Sequence, residues 1–379
     1  MSGAGHSQGA RIAVGGQIGR YALADKLGAG SFGVVFRAHD TVLDRMVAIK
    51  VLNPAHQYNA DVLRRFLQEA LASARVVHPG IVTVHDFGTV ETARSEVAYI
   101  VMELLQGESL SDRVLRTGQQ PIGAAVEIIR QVASALDTAH RAGVLHRDLK
   151  SENIYLVPDP ATLSGERVKV LDFGLAKLGA SQHTAANTVF GTPRYMSPEQ
   201  CRSATAIDER SDIYSLGCVF FELLTGHTPF QGELRQLLEA HKRSLAPRAS
   251  TFAGDVPLAV DDLIAQMLAK DPAARPQSMA QVQTALQYLG AVSPGVAATM
   301  MPVAANMIGL PYSPAPNDSG LMLVPPVLFP EAPRRRRFAA IAACALAFTI
   351  AAVITAFVTR GHTKSASADP IPLVRAPSP

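Results

Sequence analysis

Three polar side chains fall within six residues near the middle of this 379-residue chain: Asp148, Lys150 and Asn153, in the run His146-Arg147-Asp148-Leu149-Lys150-Ser151-Glu152-Asn153. A carboxylate and an amide brought to one spot can handle a hydroxyl proton and a hard cation. The run is flanked by Val144-Leu145 and Ile154-Tyr155, so a polar loop sits between apolar strands. After a further short apolar run, Val168–Leu171, Asp172-Phe173-Gly174 provides a second carboxylate suited to Mg2+. Each triplet alone reads equally well as a turn. Their order along the chain is what makes them one site.

Two upstream features add phosphate chemistry. Gly28-Ala29-Gly30-Ser31-Phe32-Gly33-Val34-Val35 follows a strand and fits G-x-G-x-x-G-x-V. Glycines let the backbone approach phosphates and aim N–H groups at them. A tight hairpin turn explains them about as well. A dinucleotide site would need a helix next, whereas Val34–Ala38 reads as a strand. Lys50 closes Val47-Ala48-Ile49-Lys50, and a lysine inside an apolar strand is costly to bury unless anions pair with it. Read alone, it is an edge lysine reaching solvent. Glu69, three residues after Phe66, reads alone as a solvated helical glutamate.

The elements that must position these groups change character along the chain. Tyr21–Leu27, Val34–Ala38 and Met46–Leu52 have strand patterning. A helix is predicted over 59–74, with Val62, Phe66, Leu67, Ala70 and Leu71 on its apolar face, and others over 124–142, 211–225 and 259–269. Strands first and helices after imply an α+β protein of two lobes rather than an alternating α/β sheet.

Composition bounds the rest. Lys+Arg 35 against Asp+Glu 32 gives a net charge of +3, and four of the positives form one run, Arg334–Arg337. The remainder is close to neutral, which argues against a nucleic-acid partner. The cysteines Cys201, Cys218 and Cys344 have no metal-ligand spacing. Residues 1–20 lack an apolar core, so no export signal is expected and a disordered N-terminus is. Residues 290–333, rich in Pro, Ala and Met, read as a linker that continues through the basic run to 337. The segment 338–359 holds 22 residues without a charge. As a helix it would extend roughly 33 Å, enough to span a bilayer. The basic run on its N-terminal side places that side in the cytoplasm, leaving 360–379 as a short extracytoplasmic tail. A tail of that length is too short to fold as a sensing domain.

Taken in order, these motifs resemble the eukaryotic-like (Hanks-type) Ser/Thr protein kinases, specifically the bacterial single-pass membrane ones, over about 21–289. The resemblance implies a bilobal fold: a small β-rich N-lobe over 21–103 and a large helical C-lobe over 107–289, followed by one transmembrane helix. It implies ATP and Mg2+ (or Mn2+) as cofactors and proteins as substrates. Leu27, Gly28, Ala29, Gly30, Ser31, Phe32, Gly33, Val34 and Val35 would cover the nucleotide, with Ala48 and Leu156 around adenine and the backbone of Glu103 and Leu105 bonding it. Lys50 would hold the α/β-phosphates and pair with Glu69. Asp148 would take the hydroxyl proton, Lys150 would neutralise the transferred group, and Asn153 and Asp172 would hold the metal.

The resemblance also assigns His146, Arg147, Phe173, Gly174, Glu199, Asp212 and Arg275 to structure and regulation, Thr184 and Thr188 to phosphorylation, and Thr192 to substrate docking. Self-association for trans-autophosphorylation and a bacterial inner-membrane location follow from it. Completeness of the set weighs against the alternative, a pseudokinase acting as a membrane-tethered scaffold. Three positions depart from the pattern: Ser197 for the usual Ala of A-P-E, Tyr214 for a frequent Trp, and Ser73 where a larger apolar residue is common. The first is expected to be harmless. The last is expected to weaken packing toward Phe173.

Overall fold

The computed structural model describes residues 12–30, 33–53, 60–91, 96–162, 164–173, 193–202 and 207–292. Alternation of apolar and polar residues builds the first lobe. Strands β1 (Gln17–Ile18), β2 (Tyr21–Ala29), β3 (Gly33–Asp40), β4 (Arg45–Leu52), β5 (Val84–Glu91) and β6 (Glu96–Glu103) form one antiparallel sheet in the order β1-β2-β3-β4-β6-β5. β4 is buried on both faces, which is why it reads as a continuous apolar run. Val47, Ile49 and Val51 pack with Tyr21, Leu23, Phe36 and Val101. Ala48 and Leu52 pack with Ile100, Met102 and, from helix α1 (Ala60–Arg75), Phe66 and Ala70. The period of two therefore puts Lys50 on the α1 side of the sheet.

The fold begins earlier than Tyr21, which corrects the expectation of disorder through residue 20. Gln17 and Ile18 pair with Ala22 and Tyr21, Gly15 N–H donates to the Leu23 carbonyl, and Ile18 is fully buried. Two residues carry too little alternation to be read as a strand. The edge of β2 recruits them.

The second lobe is helical. β7 (Glu108–Ser109), β8 (Ile154–Pro158) and β9 (Glu166–Val170) form a small sheet beside α2 (Leu110–Thr117) and α3 (Ile122–Arg141). α4 (Pro198–Arg202), α5 (Glu209–Thr225), α6 (Leu234–Arg243), α7 (Leu258–Met267) and α8 (Met279–Val292) follow. α5 is buried from Ser211 to Phe221 without a break, so it is the internal post on which α3 and α7 pack. Asp208 caps its start and Gly226, at φ 78°, its end. Gly217 lets α7 close on α5: a Cβ there would lie 2.9 Å from Met267 Cβ.

Among the described residues no helix is long and apolar enough to cross a membrane. The predicted span 338–359, the basic run, the linker from 293 onward and the tail all lie outside the described residues.

Candidate active site

The glycines of the first motif separate into two kinds. Gly28 and Gly30 border open space, with nothing within 4 Å of where a Cβ would sit. That space is what a phosphate group approaching the backbone requires. Gly33 has a different reason: a Cβ would lie 2.2 Å from the Val51 carbonyl oxygen, so the strand pair β3–β4 itself excludes a side chain. Gly30 N–H donates to Gly33 O at 2.8 Å and closes the turn. Ser31 and Phe32 lie outside the described residues.

Lys50, nearly enclosed, reaches across the lobes: its Nζ lies 2.8 Å from Asp172 Oδ1. Enclosure by protein works to raise the Asp172 carboxyl, but the charge and hydrogen bond of Lys50 win and hold it below the usual carboxylate range. Asp172 adopts φ 51°, a left-handed conformation that turns its carboxylate at the end of β9. The expected partner Glu69 lies in α1, and its side chain is outside the described part of the chain.

Asp148 and Lys150 face each other at 3.5 Å. Asn153 closes the turn Ser151–Asn153 and donates through Nδ2 to the Asp148 carbonyl at 2.9 Å, which leaves its Oδ1 as the end available to a cation. Asn153 and Asp172 thus offer hard oxygen donors, a set that fits Mg2+ completed by phosphate oxygens and water. Leu171 N–H donates to Asn153 O, which keeps the two donors on adjacent backbone.

The connector between lobes is pinned from both sides. Glu103 N–H donates to Thr83 O at 3.0 Å, Thr83 N–H donates to Glu103 Oε1 at 2.7 Å, and Lys169 Nζ of β9 meets the same Oε1 at 2.7 Å. The Glu103 peptide is therefore held with its N–H engaged, and Leu105 follows it in the connector. Ala48 pairs with Met102 across β4–β6, and Val35 packs into the same cluster, while Leu156 is buried in the second lobe.

Asp212 holds the loop that carries Asp148. Its carboxylate accepts from His146 N–H and Arg147 N–H, each at 2.8 Å, and lies 2.8 Å from His140 Nε2. Burial opposes its charge, yet His140, His146 and that backbone N–H together hold its carboxyl below the usual range. Burial pushes the His146 ring below its ordinary value; the ring bonds the Leu171 carbonyl and packs 5.0 Å from the fully buried ring of Phe173. Phe173 and Ala72 share one apolar cluster, so α1 contributes an apolar contact surface there although Ser73 is small. Gly174, Thr184, Thr188 and Thr192 lie outside the described residues.

Glu199 and Arg275 form a bidentate pair at 2.8 and 2.9 Å, with the Arg275 side chain wholly buried and capping the Ala269, Lys270 and Arg210 carbonyls. Ser197 turns out to be more than a harmless change. Its Oγ accepts from Gln200 N–H and its N–H donates to Gln200 Oε1, so it caps α4. Gln200 Nε2 then donates to the Arg147 carbonyl at 2.8 Å. Arg147 adopts φ 62°, and its buried Nε has no hydrogen-bond partner among the described residues.

Sequence reasoning missed a second polar chain. Ser151 and Tyr195 hydroxyls meet at 2.8 Å, and the Tyr195 hydroxyl donates to Glu222 Oε2 at 2.8 Å. Burial, with the Glu152 charge adding to it, pushes the Glu222 carboxyl up to about 7. His140, Lys169 and Gln200 were likewise unflagged. Each is an ordinary surface-type residue in sequence, and only the fold supplies its partner.

Comparison with known proteins agrees with this geometry. The family described as protein kinase domain matches residues 21–287. The serine/threonine-protein kinase PknL of Mycobacterium tuberculosis is 40% identical over 259 residues, 68% of this chain and 62% of that protein. PknB of Mycolicibacterium smegmatis is 35% identical over 344 residues, 90% of this chain and 54% of that protein. This chain therefore spans little more than half the length of these relatives. The crystal structure of the M. tuberculosis PknI kinase domain superposes with a TM-score of 0.59 at 27% identity, covering 74% of this chain and all of that one.

Proposed function

Since this chain belongs to the protein kinase family, we propose that it transfers the γ-phosphoryl group of ATP to Ser and Thr hydroxyls of proteins. The observation that carries this is the convergence on one cleft of Lys50 bonded to Asp172 and of Asp148 beside Lys150. Lys50 steadies the α/β-phosphates, and its ion pair keeps the Asp172 carboxylate charged and aimed. Asp172 and Asn153 would hold Mg2+, which would supply neutralisation of the phosphate charge. Asp148 accepts the proton of the attacking hydroxyl, and Lys150 balances charge on the phosphoryl oxygens. A loose transition state asks for this kind of positioning and charge, and for little covalent chemistry. The glycine turn covers the phosphates, and the Glu103–Leu105 connector reads adenine.

Regulation and location belong to the same reading. Thr184 and Thr188 are autophosphorylation sites in trans, with Arg147 as receiver: a buried guanidinium nitrogen without a partner among the described residues is suited to a phosphate. Residues 338–359 anchor the chain in the bacterial cell membrane, with the catalytic part cytoplasmic, where ATP is. Thr192 contacts the docked substrate.

The test is transfer of label from γ-labelled ATP to a protein acceptor. Lys50→Met, Asp172→Ala and Asp148→Asn should each remove nearly all transfer, on the order of 10²–10⁴-fold for Asp148→Asn, while the unfolding midpoint stays near that of the wild type. Wild-type transfer rates in any of them would defeat the assignment. Wild-type chain should also label the Lys50→Met chain on 181–188, read by mass spectrometry. Release of the full chain from membranes by alkaline carbonate would refute the anchor.

A further inference from the structure

His241 is a polar residue in an apolar position. α6 is attached to the lobe by two buried side chains one turn apart, Leu237 and His241. His241 is wholly enclosed, with the Phe230 ring edge-on at 5.0 Å. Its Nδ1 lies 2.9 Å from the hydroxyl of Tyr214, the residue that departs from the frequent Trp. Lys270 Nζ donates to that same hydroxyl oxygen at 3.1 Å and to the Ala240 carbonyl near the end of α6 at 3.3 Å.

Lys270 has no acceptor function, so the Tyr214 oxygen accepts from it; the Arg194 carbonyl on the other side of the ring can only accept, so the ring proton lies at Nε2 and Nδ1 accepts from the Tyr214 hydroxyl. Burial, with the Lys270 charge, lowers the ring to about 4, so it is neutral and its one N–H is at Nε2. That Nε2 is sealed from water, and among the described residues its polar partner is the Arg194 backbone carbonyl, toward which its N–H is directed.

Arg194 belongs to the turn Pro193–Tyr195, against which α6 packs and which directly follows Thr192. The same turn is tied to α5 by Ser215, whose hydroxyl donates to the Tyr195 carbonyl at 2.7 Å. α5 also carries Asp212, which holds the loop of Asp148. One helix thus supports the reacting loop, the turn and, through Tyr214, His241.

We propose that His241 is a positioning residue for the polypeptide substrate: Tyr214 and Lys270 fix its ring so that Nε2–H is held on the Arg194 carbonyl, which braces the 193–195 turn for the substrate that seats on it. The residue acts on the turn and not on ATP. The inference rests on the protein-kinase reading above.

The test is steady-state kinetics of the full chain with myelin basic protein as acceptor, varying protein and ATP separately. His241→Leu fills the space without either nitrogen. His241→Asn keeps an acceptor for the Tyr214 hydroxyl but cannot reach Arg194. His241→Gln restores a donor at the Nε2 distance. The expected result is a KM for the protein acceptor raised roughly tenfold in the Leu and Asn variants, the scale of one lost hydrogen bond. KM for ATP should stay within twofold, and Gln should recover most of the loss. Should the Leu variant fail to fold, Tyr214→Phe, which keeps the ring and removes only the hydroxyl, should raise the protein KM alone. An unchanged protein KM in folded variants, or equal rescue by Asn and Gln, overturns the inference while leaving the kinase assignment standing. Absence of any protein labelling by the wild type would defeat that assignment, and this inference with it.

Discussion

Replacing Glu222 by Gln should make the protein more stable at slightly alkaline pH and no more stable in acid. Glu222 lies on α5 beneath two elements of the site, bonded to Tyr195 and through it to Ser151. Burial lifts its carboxyl from 4.5 to about 7, so the folded chain holds a proton that the unfolded chain has already released. A folded value above the unfolded one gives a stabilisation that is complete below about pH 4.5 and lost as pH rises through about 7. At about 1.4 kcal/mol per pH unit, that interval amounts to up to ~3 kcal/mol. Gln keeps the shape and an acceptor for Tyr195 but cannot ionise. Urea denaturation of both proteins from pH 5 to pH 8 should therefore show their difference shifting in favour of the variant by ~1–3 kcal/mol, most of it between pH 5 and 7. The low-lying carboxyls Asp172, Glu199 and Asp212 lose stability in acid in both proteins and cancel from the comparison. A difference that does not move with pH, or that shifts toward the wild type as pH rises, would refute the reasoning.

Arg275→Met should destabilise the fold by ~3–5 kcal/mol because it strands the Glu199 carboxylate, and Glu199→Leu added to it should recover much of that, both read by denaturation. Gly33→Ala should cost ~1–3 kcal/mol through collision with the Val51 carbonyl, whereas Gly30→Ala should leave the unfolding midpoint nearly unchanged and raise KM for ATP. Ser197→Ala should lower stability by ~1 kcal/mol through loss of the α4 cap, measured by the same denaturation.

The local geometry of the reacting groups was legible in the residues themselves. Asp148, Lys150 and Asn153 share one short loop whatever the fold, because six residues bounded by apolar strands cannot disperse them. The run Met46–Leu52 was legible as a strand, but a pattern apolar on both faces does not say which face Lys50 occupies; the packing of α1 on Ala48 and Leu52 decides that. Three chemical identities, the glycine turn, the strand lysine and the Asp172 carboxylate, could be read in order, and their order carried the family. What lay beyond reach were pairings between segments far apart in the chain. Lys50 meets Asp172 across 122 residues, Glu199 meets Arg275 across 76 and Tyr214 meets His241 across 27. Periodicity tells a residue which face it occupies and nothing about which side chain will stand opposite. β1 shows the same limit: two residues have no pattern, and become a strand only because the β2 edge offers them hydrogen bonds. Gly33 shows it from the other side, since its glycine is demanded by the Val51 carbonyl of a neighbouring strand, a contact that exists only once β3 and β4 have paired in their register.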